Sequence, residues 1–164
     1  MIARIERITF DTIRRSNPPY PASRPARPYS ILLIEDEDSM GQVTKLLLES
    51  CGYEVTVAAD GAQGLRLTRA IKPKLIICDL NMPGMSGLAV LHSLRQSDTT
   101  RQIPVIFLSG FISEEQTTEA RQLGVSIFLG KPCSFEEMKQ AITECRHATS
   151  GKSAPAALAL SLSA

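Results

Sequence analysis

No stretch of this 164-residue chain approaches the roughly 20 consecutive apolar residues that span a bilayer, so no transmembrane helix is expected. The apolar core of a secretory signal is missing from the N-terminus as well, and Glu6 and Asp11 interrupt the arginines that a transit peptide would present. A cytoplasmic protein is the expectation. Tryptophan is absent and aromatics make up only 5% of residues, which leaves few rings to grip a flavin. Cysteine is sparse. Cys51, Cys78, Cys133 and Cys145 stand far apart without CxxC or CxH spacing, which argues against a metal knuckle or a disulfide framework. Small buried or half-buried residues are expected at those positions instead. Strong charge of one sign is also lacking. The net charge of +1 hides an uneven spread, with six arginines against two acids in residues 1–29 and eleven basic against fifteen acidic side chains in 30–149. What remains is an ordinary globular composition, 43% hydrophobic and 21% charged, with room for one domain plus tails.

Proline concentrates near the start. Pro18, Pro19, Pro21, Pro25 and Pro28, with Arg24 and Arg27 among them, predict a basic, extended arm over residues 1–29, with room for a short helix over 2–14. The arm reads as a solubilising leader, or as a contact for anionic lipid or nucleic acid. Beyond it, apolar runs alternate with helical spacings. Strands are predicted at 31–34, 54–58, 75–78, 105–108 and 127–129, the second alternating like an edge strand. A first helix over 39–50, capped by Asp38 or Ser39, spaces Met40, Val43, Leu46, Leu47 and Leu48 helically and stops at Cys51-Gly52. Others run from Asp60 to Pro73, through Leu88, Leu91 and Leu94 to about Ser97, from Ser113 to Gly124, and from the Ser134/Glu137 capping box to about His147. Five strands and five helices in strict alternation imply right-handed crossovers and a parallel sheet covered on both faces.

The chain is organised around residues 75–87, LIICDLNMPGMSG. A short apolar strand ends in Asp79, at the edge where open α/β sheets bind ligands. Pro83, Gly84 and Gly87 then give a structured turn. This stretch resembles the phosphoacceptor segment of the receiver domain in response regulators of two-component signalling, with an Asp closing a strand, then Met-Pro and a final Gly. Further marks of that family follow its order: Glu35 and Asp36 after the first strand, Ser109 after the fourth, and Lys131-Pro132 after the fifth. The resemblance covers residues 30 to about 147, within an expected receiver domain of residues 30–149. It implies a doubly wound, flavodoxin-like (βα)5 fold with strand order 2-1-3-4-5.

The same resemblance implies the chemistry. Asp79 accepts a phosphoryl group from a phosphohistidine on a sensor histidine kinase or a histidine phosphotransfer protein. Carboxylates gathered at strand ends repel one another without a cation, and hard oxygen ligands suit Mg²⁺ or Mn²⁺. Asp36 and Asp79 are the implied direct ligands, Asn81 a ligand through its backbone carbonyl, and Glu35 an acid acting mainly through water. Glu35 stands where the family more often has Asp. Lys131 is the implied counter-charge to the acyl phosphate, and Ser109, where Thr is commoner, its hydroxyl donor. Phe128 falls at the family's aromatic switch position without the hydroxyl of the frequent Tyr. It is expected to turn inward as Ser109 moves, altering the face presented to an unidentified downstream protein. The Lys131-Pro132 bond is often cis in relatives.

Each residue alone also has a structural explanation: Phe128 as a core ring, Lys131 as a surface cation, Glu35 to Asp38 as helix N-terminal charge. The pattern as a whole also has other functional readings. Asp36-Glu37-Asp38-Ser39 loosely resembles the motif of haloacid-dehalogenase phosphatases, with Asp36 as nucleophile, but Glu35 intrudes and no late Asp pair follows. A flavodoxin-like FMN module would bring an anionic flavin to an acidic rim. A receiver that docks without phosphate is the third alternative. Residues 150–164 form a small-residue tail in which Leu158, Leu160 and Leu162 alternate. Nothing there is long enough for a DNA-binding output domain, so the expectation is a stand-alone regulator, not an enzyme in the ordinary sense, that acts by protein contact as a monomer or weak dimer.

Overall fold

A computed structural model describes residues 28–111 and 113–149. The arm over 1–29, save its last two residues, the helix over 2–14 and the tail over 150–164 lie outside those described. Five strands, β1 (Tyr29–Ile34), β2 (Tyr53–Ala58), β3 (Leu75–Asp79), β4 (Val105–Ser109) and β5 (Ile127–Gly130), form one sheet. All neighbours pair in parallel, in the order β2-β1-β3-β4-β5. The helices α1 (Asp38–Ser50), α2 (Gly61–Ile71), α3 (Gly87–Arg95), α4 (Glu114–Gln122) and α5 (Phe135–Thr149) connect them. This is the doubly wound, flavodoxin-like architecture, and the strand order matches the expectation. No described helix is long and apolar enough to cross a membrane.

The apolar runs are apolar because both faces of the sheet are covered. Alternate residues of each strand feed two separate cores. Leu32, Ile34, Ile76, Cys78 and Phe107 face α3, whereas Ile31, Leu33, Ile77, Ile106 and Leu108 face Leu48 of α1 and Met138, Ala141, Ile142 and Cys145 of α5. Switch points arise where successive crossovers leave on opposite sides, which opens the rim between β1 and β3.

Local signals set most boundaries. Asp60 accepts the Gln63 N–H at 2.7 Å and starts α2. Ser113 and Gln116 form a reciprocal capping box on α4, and Ser134 and Glu137 do the same ahead of α5. Gly124 ends α4 in the left-handed region, with φ of 71°. The start of α1 differs from expectation. Its N-cap position is Glu37, not Asp38 or Ser39; the Ser39 hydroxyl donates to the Glu37 carboxylate at 2.8 Å instead of a side chain capping the helix.

Of the apolar residues that recur at helical spacing in α1, only Leu48 is buried. Gly41, Thr44 and Leu48 line its inner side, and Met40, Val43, Leu46 and Leu47 are exposed. The small Gly41 and Thr44 bring the helix axis close to the sheet, and the larger residues one position away are rotated outward. A Cβ on Gly41 would already meet Val57 Cγ1 at 3.3 Å. Cys51 is exposed, contrary to expectation, because it caps the end of α1; Cys78 and Cys145 are buried and Cys133 is half-buried, all as free thiols.

Candidate functional site

The carboxyl ends of β1, β3, β4 and β5 converge on one rim. Glu35 follows β1 and is only 3% exposed, its N–H bonded to the Ala58 carbonyl across to β2 at 3.0 Å. Asp36 comes next and is exposed. Asp79 closes β3 and is 7% exposed. One carboxylate oxygen from each of these three residues lies within 4.8 Å of the others.

Lys131, just past β5, reaches into this cluster. Its ammonium donates to Glu35 Oε2 at 2.8 Å and Oε1 at 3.1 Å, and to Asp79 Oδ2 at 2.5 Å. Its backbone N–H donates to the Ser109 carbonyl at 2.7 Å, which extends the β4–β5 ladder to the rim. The Lys131-Pro132 peptide is cis. Burial pushes the Glu35 carboxyl up, helped by the Asp79 charge and opposed by Lys131. Burial works against the charged Lys131 as well, but the hydrogen bonds and charges of Asp79 and Glu35 outweigh it and raise its pKa. Three carboxylates against one ammonium leave a surplus of negative charge. The donor set is all hard oxygen and Asp36 opens to water, so the residues fit Mg²⁺ or Mn²⁺.

The loop after β3 is held firmly. Leu80 and Met82 are buried in the core on the α3 side, and the Gly87 N–H returns to the Leu80 carbonyl at 2.9 Å. At Gly87 a Cβ would sit 2.5 Å from the Asp79 carbonyl oxygen and 2.9 Å from Leu80 Cα, so only glycine lets α3 begin this close to the acid. Asp79 Oδ1 accepts the Asn81 backbone N–H at 2.9 Å.

Glu35, Asp36, Asp79 and Lys131 are thus brought together as the sequence pattern implied. Ser109 ends β4, 7% exposed, but its hydroxyl faces the Asn81 side chain and the backbone of Phe111. Phe128 is half-buried on β5, its ring 5.8 Å from that of Phe107, with which it is in register. Two participants were missed: the Asn81 carboxamide and the Phe111 carbonyl. No spacing marks them, because their meeting depends on how the two loops run past each other.

Comparison with known proteins agrees with this geometry. The response regulator receiver domain matches residues 31–143. The polar-differentiation response regulator DivK of Brucella anthropi is 32% identical over 115 residues, which cover 70% of this chain and 94% of DivK. The DNA-binding dual master transcriptional regulator RpaA of Synechocystis is 33% identical over 66% of this chain, but the match spans only 45% of RpaA. Among solved structures, the chemotaxis protein CheY4 of Vibrio cholerae superposes with a TM-score of 0.67 at 28% identity, over 71% of this chain and 97% of that one. With a parallel sheet in this order, an acidic rim crossed by a lysine and a matching pattern over most of the described residues, the chain belongs to the response regulator receiver family of two-component signalling.

Proposed function

We propose that Asp79 is the acceptor of a phosphoryl group delivered by a phosphohistidine on a sensor kinase or phosphotransfer protein, and that its occupancy is read by another protein. The observation that carries this reading is the Glu35, Asp36 and Asp79 cluster with Lys131 laid across it. An Asp79 carboxylate oxygen attacks phosphorus in line as the bond to the donor imidazole breaks. The imidazole leaves with the bonding electrons and takes a proton from water. Asp36 and Asp79, with the Asn81 backbone carbonyl and Glu35 through water, are suited to hold Mg²⁺ or Mn²⁺. Held there, such an ion would supply positive charge to offset that on the transferred oxygens.

The surrounding residues orient and discharge the step. Lys131 already contacts Asp79 Oδ2 and supplies a fixed positive charge beside the acyl phosphate. Ser109 supplies a hydroxyl hydrogen once it leaves Phe111. Phe128, half-buried beside Phe107, then turns inward and changes the surface around α4, β5 and α5. The readout is a protein contact by a cytoplasmic monomer or weak dimer, not DNA binding and not turnover of a substrate.

The test is acetyl phosphate with Mg²⁺, followed by intact mass and peptide mapping. The wild-type chain takes up one phosphoryl group, and Asp79→Asn loses uptake by at least about a hundredfold. A label mapping to Asp36 would instead favour a phosphatase-type nucleophile. No uptake by the wild type would favour a docking role without phosphate.

A further inference from the structure

The turn after β4 is fastened to the loop after β3 by a group that phosphoryl transfer does not itself require. Asn81 Nδ2 lies 3.0 Å from Ser109 Oγ and 3.0 Å from the Phe111 carbonyl oxygen. A carbonyl oxygen only accepts, so the amide nitrogen, and not the amide oxygen, must face Phe111. The two hydrogens of one nitrogen therefore serve two acceptors. Ser109 donates its own hydroxyl hydrogen to the same Phe111 carbonyl and accepts the Phe111 N–H at 3.2 Å. That hydroxyl is fully committed: its single hydrogen is on Phe111, and it accepts from both Asn81 and the Phe111 N–H. It cannot donate to a phosphoryl oxygen until it releases Phe111. The Asn81 main chain meanwhile holds Asp79 Oδ1 at 2.9 Å. One residue thus touches the acceptor with its backbone and the switch hydroxyl with its side chain.

We propose that the Asn81 carboxamide is a positioning latch, which keeps Ser109 and the Phe111 turn in the resting arrangement and so sets how strongly Asp79 must be loaded before the switch moves. The inference rests on the phosphoacceptor reading of Asp79 and adds to it the group that opposes activation. Losing the latch takes two hydrogen bonds from the resting state alone. The equilibrium then tilts toward the released state by about fivefold. Release also frees the turn at Phe111, a residue 76% exposed, to rearrange on the surface.

The test compares ¹⁵N-labelled full-length wild type with Asn81→Ala and Asn81→Asp. Asn81 is exposed, so neither change disturbs the core. Without Mg²⁺ or any phosphate mimic, amide exchange at Phe111 speeds up about fivefold in both variants, while Ile106 and Phe107 inside β4 keep their rates. The aspartate keeps the size of the side chain but sets an oxygen against the Phe111 carbonyl, which separates lost volume from lost donors. At saturating Mg²⁺, the beryllofluoride midpoint of Asn81→Ala falls about fivefold. Unchanged exchange at Phe111, equal acceleration throughout β4, or a midpoint that stays or rises overturns the latch. A wild-type chain that takes no beryllofluoride overturns the phosphoacceptor reading instead, and the exchange comparison still decides the latch.

Discussion

At the amino ends of its strands the sheet is closed off by groups that satisfy one another, whereas its carboxyl ends carry more like charge than they can pair. Tyr29 opens β1 with its ring edge-on to Tyr53 at 6.3 Å, under the Lys74 ammonium at 5.6 Å and the Arg146 guanidinium at 4.8 Å. Its hydroxyl donates to the Lys74 carbonyl at 3.3 Å. Both cations lie over one aromatic face, and Lys74 is exposed to solvent. At the opposite rim Lys131 is the counter-charge for two acids that are nearly out of water. The same residue type therefore does different work at the two ends: at one it decorates a surface, at the other it makes a buried arrangement tolerable.

The largest expected difference comes from deleting a cation at each end. Lys131→Met leaves Glu35 and Asp79 uncompensated and lowers unfolding free energy in urea by about 2–3 kcal/mol. Lys74→Met costs about 0.5 kcal/mol or less. Equal losses would erase the distinction. A smaller effect comes from adding charge in place of removing it. At ten times its dissociation constant, Mg²⁺ stabilises the wild-type chain by about 1.4 kcal/mol. Asp36→Asn gains less than half as much at the same concentration, because one of the three acids no longer contributes. If the variant gained as much as the wild type, Asp36 would have no part in holding the ion.

The smallest effect belongs to the amino end. Burial, with the Cys145 charge, pushes the Tyr29 phenol up against the opposing pull of Arg146 and a Thr149 hydrogen bond. The folded state thus favours the protonated ring. Its contribution is intact below the ordinary phenol value of about 10 and disappears as pH climbs through the raised one. Above pH ~10 the wild type should lose stability more steeply than Tyr29→Phe in urea titrations. Parallel curves would show that the phenol is as well solvated folded as unfolded.

The architecture was legible because strand burial on both faces leaves unbroken apolar runs, and because Asp60, Ser113 and Ser134 announce helix starts by residue type. Glu35, Asp36, Asp79 and Lys131 were legible because they fall at strand ends in a known order. Helix α1 was less so. Its apolar residues recur at helical spacing, but the inner line goes to Gly41 and Thr44, since close approach to the sheet favours small side chains over greasy ones. The Asn81 contact could not be read at all. A carboxamide gains its meaning from acceptors on a turn 28 and 30 residues away, and composition carries no record of that meeting.

Gly87 shows what this kind of site asks of its scaffold. With the Asp79 carbonyl oxygen 2.5 Å from where a methyl group would be, the end of β3 and the first turn of α3 share a space that admits only hydrogen. In a saturation library sorted for phosphorylation, exposed positions such as Asn81 and Gly84 should yield survivors with altered kinetics, while position 87 should yield almost none. A residue with no side chain, and so with no group to offer the reaction, would then score like the nucleophile itself.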